Sequence, residues 1–163
     1  MFEAEILALA QSVLDACRTR KWRLATAESC TGGLVAAALT AIAGSSDVVE
    51  RGFVTYSNEA KSELLGVSPE IIAAYGAVST ETAAAMAQGA VARAPVDLAI
   101  SVTGIVGPGG ATPTKPVGLV MFGVARRDGK CRAERRVFPG ERTAIRLAAV
   151  QHALELLDAE ARG

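Results

Sequence analysis

A three-layer α/β/α domain with a mixed, mostly parallel sheet is what this sequence predicts, and three observations carry that prediction. Helical and strand-like patterns alternate along the chain, which calls for parallel strands joined by crossover helices. The run DLAISVTGI (97–105) is almost continuously apolar, as a strand buried on both faces requires. A single Asp-Gly turn, in RDGK, separates two strand-like runs late in the chain and adds a hairpin to the sheet. At 163 residues, half of them apolar and 21% charged, the chain suits one domain, 1–163, around one sizeable core.

Taken in order, Ile6, Leu9, Ala10, Val13, Leu14 and Cys17 recur at helical spacing, so a first helix covers residues 3–19. A short strand follows from Arg23 to Ala27. Gly32 and Gly33 then lead into an Ala-rich helix that ends near Gly44. VVERGFVTYS (48–57) reads as a strand, with Gly52 as the site of a bulge. NEAKSELLGV reads as a short helix capped by Asn58 and ended by Gly66. Pro69 opens another helical turn, and Ser79 or Thr80 caps a helix over 80–94. After the 97–105 strand comes a loop dense in Gly and Pro, GPGGATPTKP (107–116), long enough to suggest function. The hairpin VGLVMFGVAR–RDGK–CRAERRVFP and an amphipathic helix from GERTAIRL onward complete the chain. No internal repeat, linker or low-complexity tail interrupts it.

Lys plus Arg equals Asp plus Glu, at 17 each. Broad nucleic-acid binding rests on cationic surface, so no nucleic-acid partner is expected, although a local basic site for one phosphate is compatible with this balance. Cys17, Cys30 and Cys131 are odd in number and far apart, which suits a reducing compartment better than a disulfide framework. With one histidine in the chain, a His/Cys zinc site is not expected. The N-terminus, MFEAEILALAQSVLDACRTRKW, begins with acids rather than a basic segment and reads as an amphipathic helix, not a signal peptide. The apolar runs are too short to span a bilayer. A cytoplasmic protein with no membrane partner is the expectation.

The stretch AESCTGG (27–33) concentrates the chemistry. Reactive groups in open α/β sheets gather at the carboxyl ends of strands, and Ser29 falls at such an end, before a helix N-terminus. Free backbone N–H groups and the helix dipole there favour an oxyanion or a phosphate. Gly32 and Gly33 would let a ligand approach closely. Taken alone, the stretch favours Ser29 or Thr31 as a helix cap, since caps are far commoner than nucleophiles. Cys30 reads as a small buried residue, or as a thiol whose pKa the helix N-terminus lowers.

A serine nucleophile needs a base. On the last helix, Leu147, Val150, Leu154 and Leu157 mark one apolar stripe, and His152 points nearly opposite it, towards solvent. That disfavours a Ser–His–Asp triad. Tyr56 and Lys61, in VTYSNEAK, share a sheet edge with Ser29 if their strands are parallel neighbours. A lysine in a dry pocket loses its proton near neutrality and serves as a base, and a tyrosine hydroxyl relays a proton. Lys61 beside Glu59 and Glu63 also fits a solvated helix charge. Glu81, in the first turn of its helix, is favoured there by the dipole alone. Thr103 and Gly104 end the buried strand, and the amides of 107–110, with Gly107 and Gly109, could form an anion nest or an ordinary turn. Lys115 is either a phosphate contact or an exposed charge. Arg142 and Arg146, one helical turn apart, either grip a phosphate or pair with surface acids.

Taken together, LATAESCTGGL (24–34), GFVTYSNEAKSELLGV (52–67), GAVSTETAAAMA (76–87), VTGIVGPGGATPTKPVGLV (102–120) and FPGERTAIR (138–146) resemble the CinA C-terminal domain family, which includes nicotinamide-nucleotide amidohydrolases. The similarity covers nearly the whole chain, in order. Val106, Ala111 and Glu141 depart from the residues common at those positions, which touches loop details rather than chemistry. The resemblance implies deamidation of nicotinamide mononucleotide to nicotinate mononucleotide and ammonia, in pyridine-nucleotide salvage. Ser29 matches the family's nucleophile, Lys61 its partner lysine and Tyr56 the assisting tyrosine that bridges them. Glu81 and Thr103 match positions lining the site. The dyad and the amides around 30–33 supply the chemistry, so neither metal nor cofactor is called for. The resemblance is to the stand-alone form, without the molybdopterin-binding-like domain that precedes this one in long members, and it implies a homo-oligomer. A nucleotide-binding module without catalysis, or an interaction module of the competence-associated kind, is the alternative.

Overall fold

A computed structural model describes residues 1–163. Five strands form one sheet in the order β2-β1-β3-β4-β5: β1 is Leu24–Glu28, β2 Val49–Val54, β3 Leu98–Gly104, β4 Leu119–Arg126 and β5 Cys131–Val137. Strands β1, β2 and β3 are parallel, β4 is antiparallel to β3, and β5 is antiparallel to β4. Four strands thus run one way and one the other. This is the mixed α/β/α architecture expected, with the hairpin where the Asp-Gly turn predicted it.

The helices are α1 (Ala4–Arg20), α2 (Leu34–Thr40), α3 (Asn58–Leu65), α4 (Pro69–Tyr75), α5 (Thr80–Arg93) and α6 (Arg142–Arg162). Helices α1, α2 and α6 cover one face, where Leu24, Leu98, Ile100, Val102, Phe122 and Val124 meet Val13, Leu14, Leu39, Val150 and Leu154. The opposite face presents small residues. Ala25, Ala27, Ala99 and Ser101 point there, and α5 lies close against them with α3 and α4 outside it. Side chains alternate between the two faces along each strand, which is why β3 reads as apolar throughout.

Small residues set these distances. A Cβ on Gly123 would lie 2.3 Å from the Ala83 carbonyl oxygen, so β4 must be bare where α5 crosses it. Between helices, a Cβ on Gly89 would lie 1.9 Å from the Leu65 carbonyl oxygen. Backbone cannot swing aside as a flexible side chain does. Gly89→Ala would gain about 1 kcal/mol of helix propensity but cost about 3 kcal/mol in overpacking. The expected result is a net loss of about 2 kcal/mol, read as a lowered urea midpoint with an unchanged slope. An equal or higher midpoint would show that α3 and α5 separate freely.

Several local expectations are corrected. Strand β2 ends at Val54 rather than at 57, because Ser57 leaves the ladder to cap α3, its hydroxyl accepting from the Ala60 amide at 3.0 Å. Asn58 is therefore the first helical residue and not the cap. The register slips between Leu24↔Val49 and Ala25↔Arg51, which places the irregularity at Glu50 instead of Gly52. Gly52 serves close packing: a Cβ there would lie 2.8 Å from Thr26 Oγ1. Gly66, in the left-handed region at φ 65°, ends α3, and Ser79 caps α5.

His152 does not face solvent. Its side chain is 12% exposed, packs edge-on against Phe122 and lies between Glu134 and Glu155. The physical reason is that α6 sits between α1 and the β4–β5 hairpin, so its second side is covered as well. Its partners are these carboxylates, not Ser29. No helix is long and apolar enough to cross a membrane.

Candidate active site

The parallel pairing of β2, β1 and β3 brings three strand ends to one edge. Glu28 stands opposite Val54 on one side and Val102 on the other. The ladder runs one residue further: the Ser29 amide donates to the Val102 carbonyl and the Thr55 amide to the Glu28 carbonyl, each at 2.8 Å. Ser29, Thr55 and Thr103 thus emerge side by side from a rigid edge, where ligands gather in open sheets.

Helix α3 starts just beyond β2 and turns Lys61 back over this edge. Lys61 Nζ lies 3.0 Å from Ser29 Oγ and 2.9 Å from the Thr55 carbonyl oxygen, with the Tyr56 carbonyl oxygen at 3.5 Å. Lys61 is 1% exposed and Ser29 8%. Burial holds the lysine pKa below its ordinary value of 10.5, against an opposing contribution from Cys30. A solvated helix charge it is not.

Ser29, Cys30, Tyr56, Lys61, Thr103, Gly104, Gly107, Gly109 and Arg142 all line one cleft of about 250 Å³, together with Asn58, Val78 and Ile105. Thr103 Oγ1 donates to the Ala77 carbonyl at 2.9 Å. Arg142 donates to the Gly107 carbonyl at 2.8 Å and to the Tyr56 hydroxyl at 3.2 Å. This last contact corrects the bridging role of Tyr56. Its side chain is 60% exposed, and its hydroxyl turns to Arg142 at the rim, because the Tyr56 backbone occupies the place beside Lys61.

Other candidates lie apart. Glu81 is exposed on α5, accepting from Thr80 rather than facing the cleft. Lys115 donates to the Tyr75 carbonyl at 2.7 Å and so ties down the end of α4. Arg146 pairs with no acid; it donates to the carbonyls of Cys30 and Thr31. Thr31, Gly32 and Gly33 form the turn behind the cleft without lining it. The Cys30 thiol is pushed up to about 12 by burial and then by Glu28, while its own amide, Arg146 and Lys61 oppose the rise. Burial outweighs the helix N-terminus, so the thiol stays protonated at neutral pH.

A family comparison decides the kinship. The model of the CinA C-terminal domain matches residues 6–161. The chain belongs to the CinA C-terminal domain family. Its relatives include the nicotinamide-nucleotide amidohydrolases PncC of Escherichia coli K12, 46% identical over 96% of this chain and 95% of that one, and of Enterobacter agglomerans, 47% identical over 95% and 94%. Longer relatives also match: a putative competence-damage inducible protein of Caldicellulosiruptor bescii is 47% identical over 91% of this chain but 36% of its own length. Among solved structures, the competence/damage inducible protein CihA of Agrobacterium tumefaciens superposes with a TM-score of 0.94 at 49% identity, covering 98% of this chain and 97% of that one.

One residue inside this CinA-family motif was missed by sequence reasoning. Glu28, fully buried, accepts from the Thr31 hydroxyl at 2.6 Å and the Val35 amide at 2.8 Å through one oxygen, and from the Ala36 amide at 3.1 Å through the other. It therefore caps α2 from the preceding strand. Neither Ser29 nor Thr31 is the cap; the residue in that position is Gly33, at φ 102°. The available signal was an acid two residues past the middle of an apolar strand, just before a helix start. Ser29 is consequently left free for other work.

Proposed function

We propose that this chain hydrolyses the carboxamide of nicotinamide mononucleotide, giving nicotinate mononucleotide and ammonia, as a step of pyridine-nucleotide salvage in the cytoplasm. Near-full-length similarity to proteins named for that activity supports the substrate. The single observation that carries the mechanism is the 3.0 Å contact between Ser29 Oγ and a lysine only 1% exposed.

A neutral amine has two hydrogens and one lone pair. The carbonyls of Thr55 and Tyr56 are placed to take the hydrogens, which turns the lone pair of Lys61 to the Ser29 hydroxyl. Ser29 Oγ attacks the carboxamide carbon as Lys61 removes its proton. The tetrahedral oxyanion is met by the Cys30 amide, where the 30–33 turn reaches the cleft. Lys61 then delivers the proton to the departing nitrogen, ammonia leaves, and an ester links Ser29 to the nicotinoyl group. Water, deprotonated by Lys61, attacks that ester and restores Ser29. Arg142 and the Gly107–Gly109 loop are assigned to the ribose phosphate end, with Tyr56 bounding the rim beside Arg142. Every step uses the chain's own groups.

The test is product stoichiometry. Wild-type protein incubated with nicotinamide mononucleotide in ¹⁸O-labelled water is expected to release one ammonia per nicotinate mononucleotide, with one label in each carboxylate. Tight nucleotide binding without turnover would instead identify a binding module.

A further inference from the structure

We propose that Arg146 is a positioning residue that holds the 29–33 turn in the form that stabilises the oxyanion; this rests on the amidohydrolase reading above. The turn has an unusual division of partners. Each of its first three carbonyls is tied down: Ser29 O accepts from the Gly32 amide at 3.0 Å, Cys30 O from Arg146 Nε at 3.1 Å, and Thr31 O from Arg146 Nη2 at 3.2 Å and the Leu34 amide at 3.0 Å. The amides of Thr31 and Gly33, by contrast, meet no acceptor, and that of Cys30 meets only its own thiol. Carbonyls fixed on one side and amides left open on the other make an anion-binding turn.

Arg146 is the side chain from outside that fixes these carbonyls. The other ties are local bonds within the turn, whereas Arg146 reaches across from α6. In a trans peptide the C=O and N–H point in opposite directions. The guanidinium on the Cys30 carbonyl therefore fixes the plane of the Cys30–Thr31 peptide, and with it the placing of Cys30, the residue after Ser29 that lines the cleft. It also adds a positive charge that is felt at the Cys30 side chain beside the nucleophile. Gly32 packs against it: a Cβ there would lie 3.3 Å from Arg146 Nη2.

Arg146 touches neither Ser29 Oγ nor Lys61, so its loss should spare the dyad and weaken the response to developing charge. For Arg146→Met, kcat on nicotinamide mononucleotide is expected to fall on the order of 10- to 100-fold, with KM within about twofold and the same apparent pKa on the rising limb of the pH profile. Arg146→Lys, with one point charge for two carbonyls, should fall between. Non-denaturing guanidinium ion should restore much of the rate to Arg146→Ala without raising its thermal midpoint, a readout that a purely structural arginine would not give. A substrate-independent arm uses a fluorophosphonate probe, followed by mass as it modifies Ser29. Slower labelling in Arg146→Met, rescued by guanidinium in Arg146→Ala, supports the proposal even if nicotinamide mononucleotide proves not to be the substrate. Labelling at the wild-type rate, a shifted pH limb, or the absence of any wild-type labelling at Ser29 overturns it.

Discussion

Ser29→Ala is expected to lower kcat on nicotinamide mononucleotide by at least about 10⁴-fold, as losing the nucleophile of a covalent mechanism does. Lys61→Met should lower it by about 10³-fold, within the usual range for a general base, with KM nearly unchanged. Cys30→Ala should stay within a few-fold of wild type, since a thiol pushed up to about 12 supplies almost no thiolate at neutral pH. Ammonia release under saturating substrate measures all three. A dead Cys30→Ala beside an active Ser29→Ala would exchange the two assignments.

Lys61→Met carries a second, opposite expectation. Wild type buries a lysine whose native pKa lies below the unfolded value of 10.5. Below the native pKa both states are protonated, and the folded state bears the full cost of a desolvated ammonium. As pH rises from the native pKa towards 10.5, the unfolded state holds more protons than the folded one, so stability rises. Methionine has a similar length and no charge. Below the native pKa, where Lys61 is an ammonium, Lys61→Met should therefore be more stable than wild type by about 1 kcal/mol, a modest figure because the ammonium keeps its hydrogen-bond partners. That advantage should shrink as pH rises from the native pKa towards 10.5, as read by urea midpoints at several pH values. An advantage independent of pH would mean that lysine burial is not its source.

Much of this arrangement is legible in the sequence, and what is not has identifiable causes. The apolar run of β3 and the Asp-Gly turn give the sheet its parallel and antiparallel halves, because both follow from local pattern. That Ser29 and Lys61 share an edge depends on β1 and β2 being parallel neighbours, which sequence order suggests and the pairing of Glu28 with Val54 shows. The direction of the Tyr56 side chain was not legible. It follows from how α3 starts, and Ser57 takes over the cap one residue earlier than the pattern implied. His152 was misplaced for a similar reason: helical periodicity finds one apolar stripe but not a second neighbour arriving from β5. Arg146 could be assigned only once α6 and the 29–33 turn were side by side, since 115 residues separate its guanidinium from the Thr31 carbonyl it holds.

Glu28 is where the strand, the helix and the turn carrying Ser29 are joined, and its removal should be the most costly single change to the fold near the site. Both carboxylate oxygens are occupied, and the charge sits at the start of α2, where the helix dipole favours it. Glu28→Ala leaves the Thr31 hydroxyl and the Val35 and Ala36 amides without their acceptor in a fully buried place. Each unmet donor costs about 1–3 kcal/mol, less than additively when they share one partner, so a loss of about 4 kcal/mol is expected. Glu28→Gln separates charge from shape. Its carbonyl oxygen can still serve Thr31 and Val35, but its NH₂ would then face the Ala36 amide, donor against donor, and the expected loss is about 2–3 kcal/mol. Urea midpoints give both values. Activity should fall in Glu28→Gln even where the protein stays folded, because the repelled Ala36 amide would shift the start of α2 and loosen the turn carrying Ser29 with it. A Glu28→Gln protein within about 0.5 kcal/mol of wild type, the range of ordinary surface changes, would mean that α2 is held by its packing on Val35, Ala38 and Leu39 and not by this carboxylate.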